Sequence, residues 1–525
     1  LATIQIFIIC QADLTMQRWE EFLRRNLVKR YMNKYHKHVC ITSEIQDNAY
    51  EQDIRELLMS FYPGETYAHE VKEGVDFYVQ TRLEDGEAVI GIWEKLENGE
   101  ELEGWTLTAH STGKADLSDH SATKNVIKKL FYQMLVKRTG HELPWGSLTG
   151  IRPTKIALSR LEDGWKEEDI RKFMKETYMT SDEKINLSIE IAAREKRLLE
   201  PLDYDRGYSL YVGIPFCPTT CLYCSFTSYP ISKWKGRTGL YLEALFKELE
   251  YTAEKMKGRP LDTIYFGGGT PTSLPAEDID AILCKLEQLF DTKNALEFTV
   301  EAGRPDSITE EKLKVLASHG ISRISINPQT MNQKTLDLIG RRHTVENVKE
   351  KFHIARELGF DNINMDLIMG LPGEDLDDVK HTLEEIEALK PDSLTVHSLA
   401  IKRAARLNMF KEEYADLKIN NTPEMIALSE ACARRMGMEP YYLYRQKNMA
   451  GNFENVGYSL PGKACIYNIL IMEEMQTIAA CGAGTTTKVV FPSENRRERC
   501  ENVKEVEQYI SRIDEMIGRK EKIIH

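Results

Sequence analysis

The run Leu210-Tyr211-Val212-Gly213-Ile214-Pro215-Phe216-Cys217-Pro218-Thr219-Thr220-Cys221-Leu222-Tyr223-Cys224-Ser225-Phe226 decides how the rest of the chain is read. Residues 210–214 form a short apolar run of strand length, and Pro215 closes it. Three cysteines then follow as C-x3-C-x2-C. Thiolates spaced in this way can converge on one soft metal centre, iron–sulfur or zinc. Structural zinc takes four ligands, usually C-x2-C pairs answered by a second pair, and neither a second pair nor a His stands nearby. A cubane held by Cys217, Cys221 and Cys224 instead leaves one iron free to bind a ligand.

Downstream of this run the chain alternates. Strands are expected over 210–214, 263–266, 297–301, 323–326, 362–368 and 393–397, with amphipathic helices between them, among them 241–256, 276–290 and 376–389. Such alternation means parallel strands joined by crossover helices, so the fold class is α/β. Six units predict a partial or complete (β/α) barrel, with a flat doubly wound sheet as the alternative. In both, chemistry belongs at the carboxyl ends of the strands.

The flanks read differently. At 525 residues, two or three domains are expected. Residues 1–201 read as an N-terminal α+β domain, with helices at 16–31, 53–61, 122–137 and 181–199. Strands at 76–80 and 88–94 flank Glu84-Asp85-Gly86, a hairpin signal. Residues 202–402 form the barrel. Residues 403–525 form a C-terminal α+β extension that begins with a helix at 423–436 and packs against the barrel as a candidate substrate cover.

A net charge of −13 argues against a nucleic-acid surface. No apolar run reaches membrane-spanning length. Residues 4–10 are apolar but short and lack a preceding basic region, so they read as a strand, not a signal peptide. The remaining cysteines, such as Cys284, Cys432 and Cys465, sit singly in apolar surroundings, as buried thiols of a reducing cytoplasm do.

Further candidates follow the strands. Gly267-Gly268-Gly269 ends the second one, where missing side chains let a ligand approach the backbone; the Gly-Lys-Ser/Thr ending of a P-loop is absent. Glu301 ends the third strand and Gln329 follows the fourth. Asp366 interrupts the apolar fifth strand, and a carboxylate there needs a partner. Ribose hydroxyls would serve. The basic-aromatic run Tyr441–Lys447 and the stretch Lys402-Arg403 to Arg406 offer flat faces and cations suited to a ligand with an apolar body and several carboxylates.

The cysteine array after a strand is the signature of the radical S-adenosylmethionine superfamily. Residues 211–217, Gly267-Gly-Gly-Thr-Pro271 and Met365-Asp-Leu-Ile-Met-Gly-Leu-Pro372 resemble its oxygen-independent coproporphyrinogen III oxidase (coproporphyrinogen dehydrogenase) family. The variant Cys221-Leu-Tyr-Cys-Ser-Phe226 and Thr149-Gly-Ile-Arg-Pro-Thr-Lys155 resemble the HemZ-type branch. The resemblance implies a [4Fe–4S] cluster on Cys217, Cys221 and Cys224. It implies adenosylmethionine contacts at Tyr211, Tyr223, Gly268, Gly269, Thr270, Glu301, Gln329, Arg341, Asp366 and Ala400. Tyr211 and Tyr223 fall on positions lining both cofactors and are the catalytic candidates.

The implied reaction is oxygen-independent oxidative decarboxylation of coproporphyrinogen III propionates to vinyls, served by an external electron donor and acceptor. Tyr444, Arg445 and Lys447 are the candidate contacts to the tetrapyrrole substrate. Two departures keep an alternative open, that of a haem-binding trafficking protein retaining the cluster, or an enzyme acting on another tetrapyrrole. Phe226 stands where the dehydrogenases carry a further cysteine, and Lys447–Asn452 lacks the His and Trp of the His-Asn-x-x-Tyr-Trp motif of haem chaperones.

Overall fold

A computed structural model describes residues 38–43, 50–62, 66–68, 77–94, 105–226, 228–402, 404–410, 414, 417, 419–446 and 453–524. The expected strand at 4–10, the helix at 16–31, Arg403 and residues 447–452 lie outside them. Among the described residues no helix is long and apolar enough to cross a membrane.

The chain divides into two compact units, residues 1–149 with 171–184, and residues 150–170 with 185–525. In the first, β1 (His38–Ser43), β2 (Thr66–Ala68), β3 (Phe77–Glu84), β4 (Glu87–Glu94) and β5 (Thr106–Lys114) form a sheet in the order β2-β1-β3-β4-β5. The hairpin read from Glu84-Asp85-Gly86 is present. Asp85 and Gly86 carry φ of 47° and 80°, the left-handed pair that matches the twist of the flanking strands. Ile54, Leu57, Leu58 and Phe61 from helix Glu51–Phe61, and Ile127, Phe131 and Leu135 from helix His120–Thr139, share one core with Val79, Ile90 and Ile92. Their three- and four-residue spacing is what presents one apolar face to the sheet.

The second unit is built on β6 (Tyr208–Ile214), β7 (Phe216–Cys217), β8 (Tyr229–Pro230), β9 (Leu261–Gly268), β10 (Glu297–Gly303), β11 (Arg323–Ile326), β12 (Ile363–Met369), β13 (Ser393–Ser398), β14 (Glu439–Tyr444), β15 (Asn455–Ser459), β16 (Thr477–Cys481), β17 (Thr486–Phe491) and β18 (Arg496–Glu501). All but β7 and β8 join one sheet, ordered β14-β15-β13-β12-β11-β10-β9-β6-β16-β17-β18. The run from β16 to β13 is parallel throughout. From β6 to β13 each new strand lies beside the last, always on the same side. A doubly wound sheet would reverse that order at a switch point. The progressive order, with two ends that do not pair, is that of a partial barrel.

The expected boundaries at 201/202 and 402/403 do not coincide with the division into compact units. Helix Thr154–Glu162 and residues 185–199 of helix Asp182–Leu199 belong with the barrel. Arg194 explains the second case, donating to the carbonyls of Glu439, Pro440 and Ser459 at 2.5, 3.3 and 3.3 Å. Arg152 explains the first, donating to Met472 O at 2.8 Å and pairing with Glu474 at 3.2 Å. The C-terminal segment is no separate layer either. It supplies β15 antiparallel to β13 and β16 parallel to β6, giving both sheet edges a partner for their backbone groups. One cysteine also departs from expectation: Cys432 and Cys465 are buried, but Cys284 is exposed.

Candidate active site

The cysteine loop leaves β6 at Ile214 and is closed at its base by the pairing of β7 with β8 and by Tyr229 N–H donating to Pro215 O at 2.8 Å. The end of β9 presses against it. Gly269 N–H donates to Ile214 O and Thr270 N–H to Phe216 O, both at 2.7 Å. A Cβ on Gly269 would stand 2.5 Å from Phe216 O and 3.0 Å from Cys217 Sγ. Gly268 has φ of 114°, and a Cβ there would stand 2.8 Å from Ile214 N and O. These glycines therefore let two loops touch backbone to backbone, a use of missing side chains additional to the ligand approach expected from sequence.

The three thiols share one surrounding. Cys217 Sγ lies 3.4 Å from Thr270 Oγ1. Cys221 is buried, and Cys217 and Cys224 are half-buried. Burial pushes the Cys224 thiol up to about 11, with Cys221 and Cys217 adding to it. Cys217 is raised likewise, by burial first and then by Cys221. Gathering thiolates is therefore unfavourable until a cation joins them, the condition in which a metal centre binds and releases protons. Soft donors of this kind fit an iron–sulfur cluster.

Two guanidinium groups support the loop. Arg304, 3 % exposed, donates to Thr219 O at 2.9 Å, approaches Cys221 Sγ at 3.6 Å, and is held by Asp306 at 2.7 Å. Arg341 donates to Asn327 O and Pro328 O, and its side chain also bonds Cys221. Tyr223 stands beside Cys221, Cys224 and Arg341, its hydroxyl raised chiefly by burial.

Beyond the cysteines, two carboxyls face opposite environments. Glu301, at the end of β10, accepts from the Tyr265 hydroxyl at 2.5 Å. Burial pushes it up to about 7; Tyr265 opposes this and the Asp366 charge adds to it. Asp366 on β12 is half-buried; burial raises it, but neighbouring His397 and hydrogen bonds from Asn364 and Thr395 outweigh that and hold it below its ordinary value. Asn364 Nδ2 lies 2.7 Å from Oδ1, and His397 Nε2 lies 3.8 Å from Oδ2. Gln329 adopts a left-handed φ of 72° and is locked beside Asp366, its N–H donating to Asp366 O at 2.9 Å and its C=O accepting from Ile368 N–H at 3.0 Å. Strain of this kind in a non-glycine residue clusters at functional sites.

Tyr211 stacks with Tyr265 and Tyr467, centroids 6.0 and 6.1 Å apart. Ala400 is half-buried just past β13. Of the substrate candidates, the Tyr444 hydroxyl reaches His397 Nδ1 at 3.4 Å. Arg445 is 4 % exposed, its amide donates to Ile151 O at 2.8 Å, and burial lowers its guanidinium to about 10. As placed, it presents no solvent-facing fork. Lys447 lies outside the described residues. Sequence reasoning missed Tyr265, Tyr467, Arg304 and His397. The first was legible: Tyr265 and Gly267 alternate along β9, so they share a face.

Residues 211–386 match the model of the Radical SAM superfamily. The chain is 40 % identical over 489 residues to the oxygen-independent coproporphyrinogen-III oxidase-like protein HemZ of Bacillus subtilis, covering 91 % of this chain and 96 % of that one. It is 38 % identical over 195 residues to the heme chaperone HemW of the same organism, covering 37 % of this chain and 51 % of that one. To the oxygen-independent coproporphyrinogen III oxidase of Escherichia coli it is 28 % identical over 325 residues, covering 59 % and 66 %. With its cysteine loop at the carboxyl ends of a parallel sheet and its likeness to HemZ sustained over nearly the whole of both chains, this protein belongs to the HemZ-type family of radical S-adenosylmethionine proteins, whose cofactors are a [4Fe–4S] cluster and S-adenosylmethionine.

Proposed function

We propose that the chain is an oxidoreductase of porphyrin synthesis that converts coproporphyrinogen III propionates to vinyls, giving protoporphyrinogen IX without oxygen. The observation that carries this reading is the pair of half-buried carboxyls beside the cysteine loop, Glu301 pushed up to about 7 and Asp366 held below its ordinary value. Carboxyls whose environments drive them apart are the mark of a site built for chemistry rather than for storage of a ligand.

Cys217, Cys221 and Cys224 would hold the cluster, which with adenosylmethionine would supply one-electron radical chemistry at a propionate of the substrate. Overall, each propionate would lose one hydrogen atom, carbon dioxide and one electron to leave a vinyl group, the electron passing to an external acceptor and an external donor supplying the electron that adenosylmethionine cleavage consumes. The chain's own residues position and shield. Asp366, ionised, accepts hydrogen bonds from ligand hydroxyls, and His397 links it to Tyr444, which we assign to substrate contact. The Tyr211–Tyr265–Tyr467 stack excludes water from the Glu301 side. Low-potential chemistry of this kind suits a reducing cytoplasm.

Anaerobic turnover with coproporphyrinogen III, adenosylmethionine and dithionite tests the reading. Deoxyadenosine should form faster when the porphyrinogen is present, and vinyl products should be seen by mass spectrometry. Equal rates with no vinyl product would end it. The second reading, a haem-binding protein, is favoured by Phe226, which is 70 % exposed beside the cluster loop where dehydrogenases are expected to carry a cysteine. Haem titration separates the two, through a Soret band that survives desalting.

A further inference from the structure

The helix Ala276–Leu289, which the site above does not use, carries Asp280 and Cys284 one turn apart, so both project from one face. His319, the residue that caps helix Glu310–Ser318, reaches that face. Its Nε2 lies 3.0 Å from Asp280 Oδ1, and Cys284 Sγ lies 3.9 Å from Asp280 Oδ2. One donor atom from each of the three residues falls within 4.8 Å of the other two. Glu287, on the same helix, takes the opposite ring nitrogen, with Oε1 2.7 Å from Nδ1. The His319 side chain is only 10 % exposed, so the ring is held by its surroundings and does not sweep through solvent.

We infer that Asp280, Cys284 and His319 form a second metal site, one that takes a single divalent transition ion of the zinc class. The donor set carries the choice of ion. Thiolate, imidazole and carboxylate together suit zinc and its neighbours, whereas calcium and magnesium want oxygen throughout. Bonds of about 2.0–2.3 Å in a tetrahedron put donor atoms roughly 3.3–3.7 Å apart. The observed separations of 3.0 and 3.9 Å run to the two oxygens of Asp280, and with one donor atom per residue no pair stands more than 4.8 Å apart, so closing on an ion takes side-chain shifts of about an ångström. Glu287 accepting from Nδ1–H fixes the tautomer that leaves the Nε2 lone pair free, the carboxylate–histidine–metal arrangement found around bound ions.

The fourth position faces solvent, since Cys284 is exposed and the Asp280 side chain is 52 % exposed. A water or a donor from another molecule completes it, and the ion exchanges. A plain ion pair between a protonated His319 and the two carboxylates would account for those three residues and leave Cys284 only a long S–H···O contact to Asp280 at 3.9 Å.

The test uses the reconstituted holoprotein under anaerobic conditions, dialysed against micromolar zinc. Metal analysis should find one zinc per chain in addition to about four irons. Zinc should slow alkylation of Cys284 by iodoacetamide at least tenfold, read on the peptide that contains it. Cys284→Ser and His319→Gln should each weaken zinc binding at least tenfold with iron content unchanged. Alkylation of Cys284 at one rate with and without zinc would overturn the inference, and so would zinc bound equally by both variants. The alkylation arm needs no variant, so a misfolded mutant leaves the test intact.

Discussion

Replacing Glu301 by Gln removes the charge of the half-buried carboxyl while keeping its shape, and the amide oxygen still accepts from the Tyr265 hydroxyl, now 2.5 Å away. In the folded chain burial carries this carboxyl from 4.5 to about 7, with Asp366 adding to burial and Tyr265 opposing it. At about 1.4 kcal/mol per pKa unit, holding the ionised form costs about 3 kcal/mol. Below pH 4.5 the group is protonated both folded and unfolded, so no penalty exists. Between 4.5 and 7 the unfolded chain gives up its proton first, and wild type loses stability as pH rises. Above 7 the loss is complete and constant. The Gln variant has no proton to lose. In guanidinium titrations of the cluster-free proteins side by side, its advantage should be within about 1 kcal/mol near pH 5 and about 3 kcal/mol at pH 8, the rest of the chain cancelling in the difference. Adenosylmethionine affinity of the reconstituted variant should fall even as stability rises. A stability difference that does not grow between these two pH values refutes the assignment of a reluctantly ionised Glu301.

Three further outcomes follow from the geometry. Cys217→Ala, Cys221→Ala and Cys224→Ala should each abolish the iron–sulfur absorption of the reconstituted protein, while Cys432→Ala, buried elsewhere, should leave it; a cluster retained in Cys221→Ala would remove the cysteine loop from consideration. Asp366→Ala loses a charged hydrogen-bond acceptor worth about 1.5–3 kcal/mol, so calorimetry should find adenosylmethionine bound about ten- to a hundredfold more weakly, with iron content intact. Gly269→Ala forces a Cβ to 2.5 Å from Phe216 O and should lower cluster occupancy, whereas Gly239→Ala, with nothing within 4 Å, should not; iron analysis of both reads the contrast.

The barrel was legible because its strands are buried on both faces and read as apolar runs. The expected strand at 323–326 and helix at 376–389 coincide with Arg323–Ile326 and Leu376–Leu389. Both end on local signals: Asp375 caps that helix with its side chain and Lys390 closes it in a left-handed turn. The edges of the sheet were not legible. Whether β15 and β16 extend the barrel or form their own layer depends on long-range pairing, and nothing in a run such as Thr477–Cys481 says which strand it will meet. The same limit hid Arg304 and Tyr467. Arg304 sits between the end of β10 and the short turn Pro305–Ser307 and reads as a surface cation until the fold brings Thr219 and Cys221 to it. Tyr467 reads as one more apolar residue of a buried helix until it meets Tyr265, with centroids 4.5 Å apart.

The buried charges of the barrel are distributed unequally along its axis, and the inequality bears on function. Near the amino ends of the strands, Glu297 accepts from Thr299 Oγ1 at 2.8 Å, Cys465 Sγ at 3.0 Å and Ile466 N–H at 2.5 Å. Arg323 nearby donates to Ser393 Oγ at 3.1 Å. The Glu297 carboxyl is satisfied within the protein, as a core requires. At the carboxyl ends the accounts stay open: the Cys217 and Cys224 thiols are raised by burial and further by their neighbours, Glu301 is ionised only above about pH 7, and Gln329 holds a strained backbone. Each of these costs stability that a purely structural core would have shed. The first two are also relieved by a ligand of the right chemistry: a cationic cluster core for the thiolates, and hydroxyl or ammonium donors for the carboxyl. Binding should therefore stabilise this unit more than burial of the ligand alone would, and the stability gained on loading is itself a measure of how far the site is held ready.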